Sequence, residues 1–247
     1  MRALQTHLGT LGIVLRVTLK VTHQYKLQVE QTVITDPRSF LLNGSMVQAL
    51  QQHFWSYVGW YPHLGEGVLR TGTVVDSSTA GNASTDFLIA PFPKIFVPFF
   101  SALNQFAVEH PECSCDLEHL SMNTEKDSPP WVEGGHSVNP AVGFSHLILS
   151  GVCAPGQCAW DNGLRVEEME IAVPFRRAQE ALDFLVTFFN TTGAKLCFPL
   201  QGIWFRGAKG DDGLLSMGAQ GEDRLVIGLT SWRPNLGQPR YHEQAYA

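Results

Sequence analysis

The sequence lacks an apolar run long enough to cross a bilayer. Its most hydrophobic stretch, "FLIAPFPKIFVPFF" from Phe87 to Phe100, has 14 residues and contains three prolines and a lysine. A spanning helix needs about 20 apolar residues without such breaks. The segment reads as buried core, with an aromatic element dipping into a membrane interface as the alternative. A signal-peptide pattern is absent ahead of the first alternating stretch. Positive charge is also scarce. Lys and Arg number 17 against 23 Asp and Glu, for a net charge of −6. The cations are scattered rather than clustered, which excludes a nucleic-acid-binding face and predicts no nucleic-acid partner.

Metal-site spacing is missing too. The five cysteines occur as C-S-C (Cys113, Cys115), C-x4-C (Cys153, Cys158) and Cys197 alone. None of these fits a structural zinc site, and no metal is expected. The preferred reading is buried or free thiols. A Cys153–Cys158 bridge is the alternative in an oxidising compartment. Sequons at Asn43, Asn82 and Asn190 lean toward that compartment.

What remains is ordinary globular composition, 44% hydrophobic, enough for one large or two small domains. Arg2 to Leu8 reads as a turn or two of helix, closed by Gly9 or Gly12. Ile13 to Thr22 alternates with period two and β-branched residues, which predicts a strand with one buried face. Lys26 to Thr35 alternates likewise, and "DPRSF" breaks it. Ser45 to Gln52 reads as a helix with Ser45 as N-cap. "HFWSYVGWYP" and "VLRTGTVV" read as two strands joined by a turn at "HLGEG". Asp76 to Thr85 is a polar loop, Ile95 to His110 a helix, and Pro111 to Asn139 an irregular excursion. "RVEEMEIAVP" is a strand stopped by Pro174. Phe175 to Asn190 carries the apolar stripe Ala178, Leu182, Leu185, Val186 and Phe189 of an amphipathic helix. "KLCFPLQGIWF", "GLLSM" and "DRLVIGLTSW" complete the strands. The expected fold class is α+β, one large antiparallel sheet with helices packed on one face.

The order of these elements resembles a known family. "THLGTLGIVLRVTLKVTHQY" is similar to the closing segment of the flavin-binding domain in vanillyl-alcohol-oxidase-type flavoproteins. "HFWSYVGWYPHLGEGVLRTGTVV", "VEEMEIAVPFRRAQEALDFL" and "LVIGLTSWRP" with "RYHEQAYA" resemble successive segments of the sugar-1,4-lactone oxidases, the L-gulonolactone and D-arabinono-1,4-lactone oxidases. The likeness is weak from Asp76 to Trp160. It implies that residues 1–24 are the end of an FAD-binding domain. Residues 25–247 would then form the substrate (cap) domain, short of the family's last segment. It also implies FAD as cofactor, a sugar lactone as substrate and molecular oxygen as acceptor. An FAD-binding domain outside this sequence would be required as partner, and peripheral membrane association is open.

The resemblance further implies an acid and an arginine two apart on a strand just after a proline. Residues so spaced point to one face and reach one substrate. Counting from Pro199, those positions hold Gln201 and Ile203. An amide cannot ionise, and isoleucine offers neither charge nor donor. Arg206 is the substitute, on the opposite face by strict alternation unless a bulge at Gly202 turns it. His63 matches a histidine in the family's "W-x-P-H" segment and is either a pocket residue or a polar turn residue. Gly9, Gly12 and Ile13 match the flavin-side turn, where glycine lets backbone approach a cofactor; a helix stop is the plainer account. Glu168 and Glu170 either face the pocket or lie on an exposed strand face. His136 stands alone in a loop, without metal partners. Gln201 and Ile203 motivate a second function class, a truncated non-catalytic paralogue serving as a carbohydrate-binding or interaction module.

Overall fold

The computed structural model describes residues 15–16, 18–85, 102, 106, 110, 114–127, 129–149, 166–191, 202–211, 216–218 and 221–232. Ten strands and five α-helices are named in these segments, with a 3-10 turn at Phe175–Arg177 before the last helix. In chain order they are β1 (Lys26–Ile34), α1 (Pro37–Leu42), α2 (Ser45–Gln52), β2 (Trp55–Tyr61), β3 (Glu66–Val75), β4 (Ser84–Thr85), α3 (Ser114–Asp127), β5 (Trp131–Glu133), β6 (His136–Ser137), β7 (Ala141–Phe144), α4 (Ser145–Ile148), β8 (Val166–Pro174), α5 (Ala178–Thr191), β9 (Ile203–Ala208) and β10 (Arg224–Trp232). Seven strands form one antiparallel sheet in the order β7-β1-β3-β2-β9-β10-β8. A second, three-stranded sheet runs β4-β5-β6. This is the α+β architecture expected from the alternating segments.

Successive strand residues point to opposite faces, so the sheet sorts its own side chains. Val58 and Trp60 of β2, Ile203 and Phe205 of β9, and Leu225, Ile227 and Leu229 of β10 face one way. They pack with Leu41 of α1, Met46 and Leu50 of α2, and Ala178, Leu182, Val186 and Phe189 of α5. Four of the five stripe positions read in the sequence of α5 are buried there. Each such side chain contributes about 1.5–3 kcal/mol of burial, so this layer carries most of the apolar stabilisation.

The opposite face has two lighter covers. Leu27 and Val29 of β1 meet Trp131 of the small sheet, with Ala83, Ala141 and Ile148. Tyr61 and Val68 meet Met122 of α3. Arg70 reaches across to α3 as well. It pairs with Glu125 and donates from Nε to Oε1 of Gln31 at 2.8 Å, while Gln31 Nε2 donates to the Glu125 carbonyl at 2.7 Å. This network pins α3 to β1 and β3.

Several sequence expectations are corrected. Residues 15–16 and 18–24 belong to no strand, and Leu15, Leu19 and Val21 are exposed. An alternating pattern makes a strand only when a neighbour takes its backbone hydrogen bonds, and none of the described residues does so here. "DPRSF" does not merely end β1. Asp36 caps α1, its carboxylate accepting from Ser39 N at 3.0 Å, with Pro37 opening the helix. Gly44, not Ser45, is the N-cap of α2; its φ of 85° suits glycine alone, and Ser45 N donates to Asn43 Oδ1 instead. The stretch expected to be irregular contains α3. Cys115, on that helix, is disulfide-bonded, so free thiols do not describe it; the other four cysteines lie outside the described residues. Phe87 to Phe100 and most of Ile95 to His110 also lie outside them.

Candidate functional site

The candidate site lies on the sheet face turned away from α1, α2 and α5. The strand register builds it. One line across the sheet runs Gln31, Arg70, Tyr57, Arg206, Val226. The next runs Val68, Gly59, Trp204, Gly228, Glu170. Two arginines therefore flank a tyrosine, and a tryptophan stands between two glycines.

The glycine at 59 has a steric reason. A Cβ there would stand 2.9 Å from Cε3 and 3.0 Å from Cη2 of Trp204, so the indole lies flat on the bare backbone of β2. Tyr57 stacks beside it, with ring centroids 4.7 Å apart and an interplanar angle of 12°, and Tyr61 meets its edge at 6.0 Å. The Arg70 guanidinium lies 5.9 Å from the Tyr57 ring centre, within range of a cation–π contact. On the far side Arg206 forks onto Glu170. Nη2 donates to both carboxylate oxygens at 2.7 and 2.8 Å, and Nε to Oε1 at 3.1 Å. Arg206 keeps 42% of its side chain exposed and Glu170 23%, so solvent and small molecules reach the pair. The arrangement sets a stacked, half-buried Tyr57–Trp204 pair, with Trp204 also against the Tyr61–Val68–Met122 cluster, beside a fixed positive charge whose rotamer a carboxylate holds.

A second feature lies at the end of β2. Glu118 of α3 is fully buried, and among the described residues neither carboxylate oxygen makes a hydrogen bond of normal geometry. Burial raises its pKa to about 8. The backbone of His63 favours the ionised form but is too weak to offset the lost hydration. Glu118 is thus a neutral acid at pH 7.

The predicted residues fall in different places. Arg206 is on the face opposite Ile203 and Phe205. Ile203 is fully buried on the other face, among the residues packed under α5, and the structure does not bring it to Arg206. Gly202 stands just before β9 with φ of 78°, and a Cβ there would meet the Trp60 carbonyl oxygen at 2.9 Å. Gln201, Gly9, Gly12 and Ile13 lie outside the described residues. The His63 ring packs edge-on to Phe189 of α5, 5.9 Å between centroids. Its backbone turns to Glu118. Glu170 is the partner of Arg206, and Glu168 pairs with Thr230 two residues earlier on β8. His136 is exposed on β6.

Trp204, Tyr57 and Gly59 were not singled out in the sequence. Trp204 alternates with Ile203 and Phe205, and only cross-strand register sets it on a glycine. One cleft of about 340 Å³ opens in the helix layer, lined by Val47, Gln48, Gln51, Phe175, Arg176 and Gln179. It shares no residue with the aromatic floor. Among the described residues no cluster of His, Cys, Asp or Glu could hold a metal ion, and no helix is long and apolar enough to cross a membrane.

A family profile described as D-arabinono-1,4-lactone oxidase matches residues 17–247. The chain belongs to the D-arabinono-1,4-lactone oxidase family. The match spans both the helix-covered core and the open face, so all the residues of the aromatic floor lie within the family region. No curated protein matches the chain. Solved structures do. A solvent-stable cholesterol oxidase superposes with a TM-score of 0.57 at 16% identity, covering 90% of this chain and 45% of its own. A cholesterol oxidase from B. sterolicum gives 0.55 at 12% identity, with the same coverage. At such identity the likeness is one of fold. The chain spans less than half the length of these oxidases.

Proposed function

We propose that this member of the D-arabinono-1,4-lactone oxidase family supplies the substrate face of an FAD-dependent oxidoreductase. It would act on the CH–OH group of a sugar-1,4-lactone, of the arabinono- or gulono-lactone type, with oxygen as acceptor. The observation that carries the reading is the family match over residues 17–247. The domain division fits it: residues 1–24 as the end of a flavin-binding domain and 25–247 as the substrate domain. The match to only 45% of each cholesterol oxidase supports a flavin-binding partner domain.

The open face suits such a substrate. The stacked Tyr57–Trp204 pair offers its remaining exposed aromatic surface to the C–H side of a small ring. Arg206, held by Glu170 through Nε and Nη2, directs fixed positive charge at a ligand oxygen. That charge stabilises the alkoxide character developing as the substrate hydroxyl gives up its proton. Gln201, at the family's acid position, is proposed to hydrogen-bond the lactone hydroxyls. Ile203 makes no substrate contact in this reading, because its side chain is in the core. FAD, when bound, supplies the acceptor for the hydride that leaves the substrate carbon. Gly9, Gly12 and Ile13 are proposed to lie beside it. Peripheral membrane contact through Phe87–Phe100 is compatible with this reading.

The test uses the native gene product with its flavin domain. The expected result is a flavin absorbance band and peroxide release with arabinono- or gulono-1,4-lactone. A colourless protein that is inert toward both lactones would overturn the enzyme reading. The second reading, a carbohydrate-binding module, is motivated by Gln201 at the acid position. It would show lactone binding by calorimetry without turnover.

A further inference from the structure

We infer that Asn43, Asn82 and Asn190 are N-glycosylation sites, and that the folded chain works in an oxidising lumen with two glycans on the helix layer and one on the small sheet. Each asparagine opens an N-x-[S/T] sequon, Asn43-Gly44-Ser45, Asn82-Ala83-Ser84 and Asn190-Thr191-Thr192, with no proline at the second position. The sequence alone makes this a weak signal, and three structural observations strengthen it.

All three asparagines are exposed. A glycan is bulky and hydrophilic, so a buried sequon could not carry one in the folded chain.

The reacting atom is also unengaged. Among the described residues, no side-chain nitrogen of the three donates a hydrogen bond. In Asn43 the side chain uses only Oδ1, which accepts from Ser45 N while the backbone N–H donates to the Ser39 carbonyl, and Asn82 uses its backbone N–H, which donates to Glu133. The described asparagines outside sequons behave differently. Asn139 Nδ2 donates to the Gln31 carbonyl at 2.8 Å, and Asn123 Nδ2 lies 2.7 Å from His119 Nδ1. The engaged Nδ2 atoms thus lie outside the sequons.

Cys115 is disulfide-bonded, which fits a chain that folds where thiols oxidise, the same compartment in which glycans are transferred.

The positions add a spatial argument. Asn43 lies in the turn between α1 and α2, and Asn190 in the last turn of α5, both in the helix layer on the covered side of the sheet. Asn82 precedes β4 of the small sheet, which lies over β1 and β7. None adjoins Trp204, Tyr57 or Arg206: two lie on the opposite side of the large sheet, and Asn82 lies at its β1–β7 end. In the transfer step the amide nitrogen bonds to C1 of the first sugar. The bond from C1 to the phosphate of a lipid diphosphate-linked oligosaccharide breaks, and the lipid diphosphate leaves with the electron pair. One amide proton is lost, and nothing is oxidised or reduced.

The experiment takes the native protein from its source and treats its peptides with an N-glycanase in heavy-oxygen water, which converts glycosylated Asn to labelled Asp. Labelled Asp at two or three of positions 43, 82 and 190 is the expected result. Unlabelled Asn at two or all three overturns the inference. As an independent readout, N43Q, N82Q and N190Q in a secretory host each remove one step of gel mobility shift. A host-produced chain whose mobility none of the three alters also overturns it.

Discussion

Trp204 of β9 lies flat on Gly59 of β2, with no room for a Cβ beneath the indole. The contact joins the two strands at the centre of the sheet and sets the floor of the proposed site.

Gly59→Ala is therefore expected to tilt the indole off the sheet. Overpacking of this kind costs about 1–3 kcal/mol. Urea denaturation should show that loss, and tryptophan fluorescence should shift as the ring leaves Tyr57. Lactone affinity is expected to fall in parallel, whereas Trp204→Ala should lose affinity with little strain.

Arg206 and Glu170 are half-exposed, so their pair contributes at most about 1 kcal/mol to stability. Its expected weight is in turnover. Arg206→Ala should lower kcat/KM by about 10²–10³, the loss typical of one preorganised donor. Arg206→Lys should restore only part, because an ammonium cannot fork onto Glu170. Steady-state kinetics on the flavin-loaded protein decide it, and an unchanged kcat/KM in the alanine variant removes Arg206 from the site.

Arg70 and Glu125 differ, since their side chains are only 11% and 19% exposed. Arg70→Ala leaves a buried carboxylate without its partner, which costs about 3–5 kcal/mol. The double variant Arg70→Met, Glu125→Leu should recover much of that loss. Chemical denaturation of single and double variants measures the difference.

Glu118 gives stability a pH dependence of definite sign. Below pH 4.5 both folded and unfolded chains carry the proton. Between pH 4.5 and about 8 the unfolded chain has ionised while the folded chain keeps its proton, so stability falls as pH rises. Above 8 this contribution is flat. At about 1.4 kcal/mol per pH unit the whole fall is at most roughly 5 kcal/mol. Glu118→Gln should abolish the slope and raise the melting temperature at pH 8. Melting curves from pH 5 to 9 test it, and parallel curves for the two proteins would exclude the assignment.

The same helix shows why part of this structure was hidden in the sequence. The inward residues of α3 include Glu118, Met122 and Glu125, at spacings of four and three. Two of these three are carboxylates, so the apolar period that reveals a helix is absent and the stretch reads as irregular. In α5, by contrast, Leu182, Val186 and Phe189 keep the period, and the helix was legible with its bounds nearly intact. β2, β3 and β8 were legible for the same reason, since alternation follows from backbone geometry alone. Alternation misled at Ile13–Thr22, where the pattern is present and the pairing strand is not among the described residues.

The sequence by itself determined the fold class, the helix-packed face and the order of segments that places the chain among lactone oxidases. These depend on short-range periodicity and on local residue types. The tertiary structure alone decided that Trp204 meets Gly59, that Glu170 holds Arg206, and that Ile203 turns into the core. Each of those pairings joins strands distant in the chain, and the register that aligns them is set by the packing of the whole sheet rather than by any local pattern.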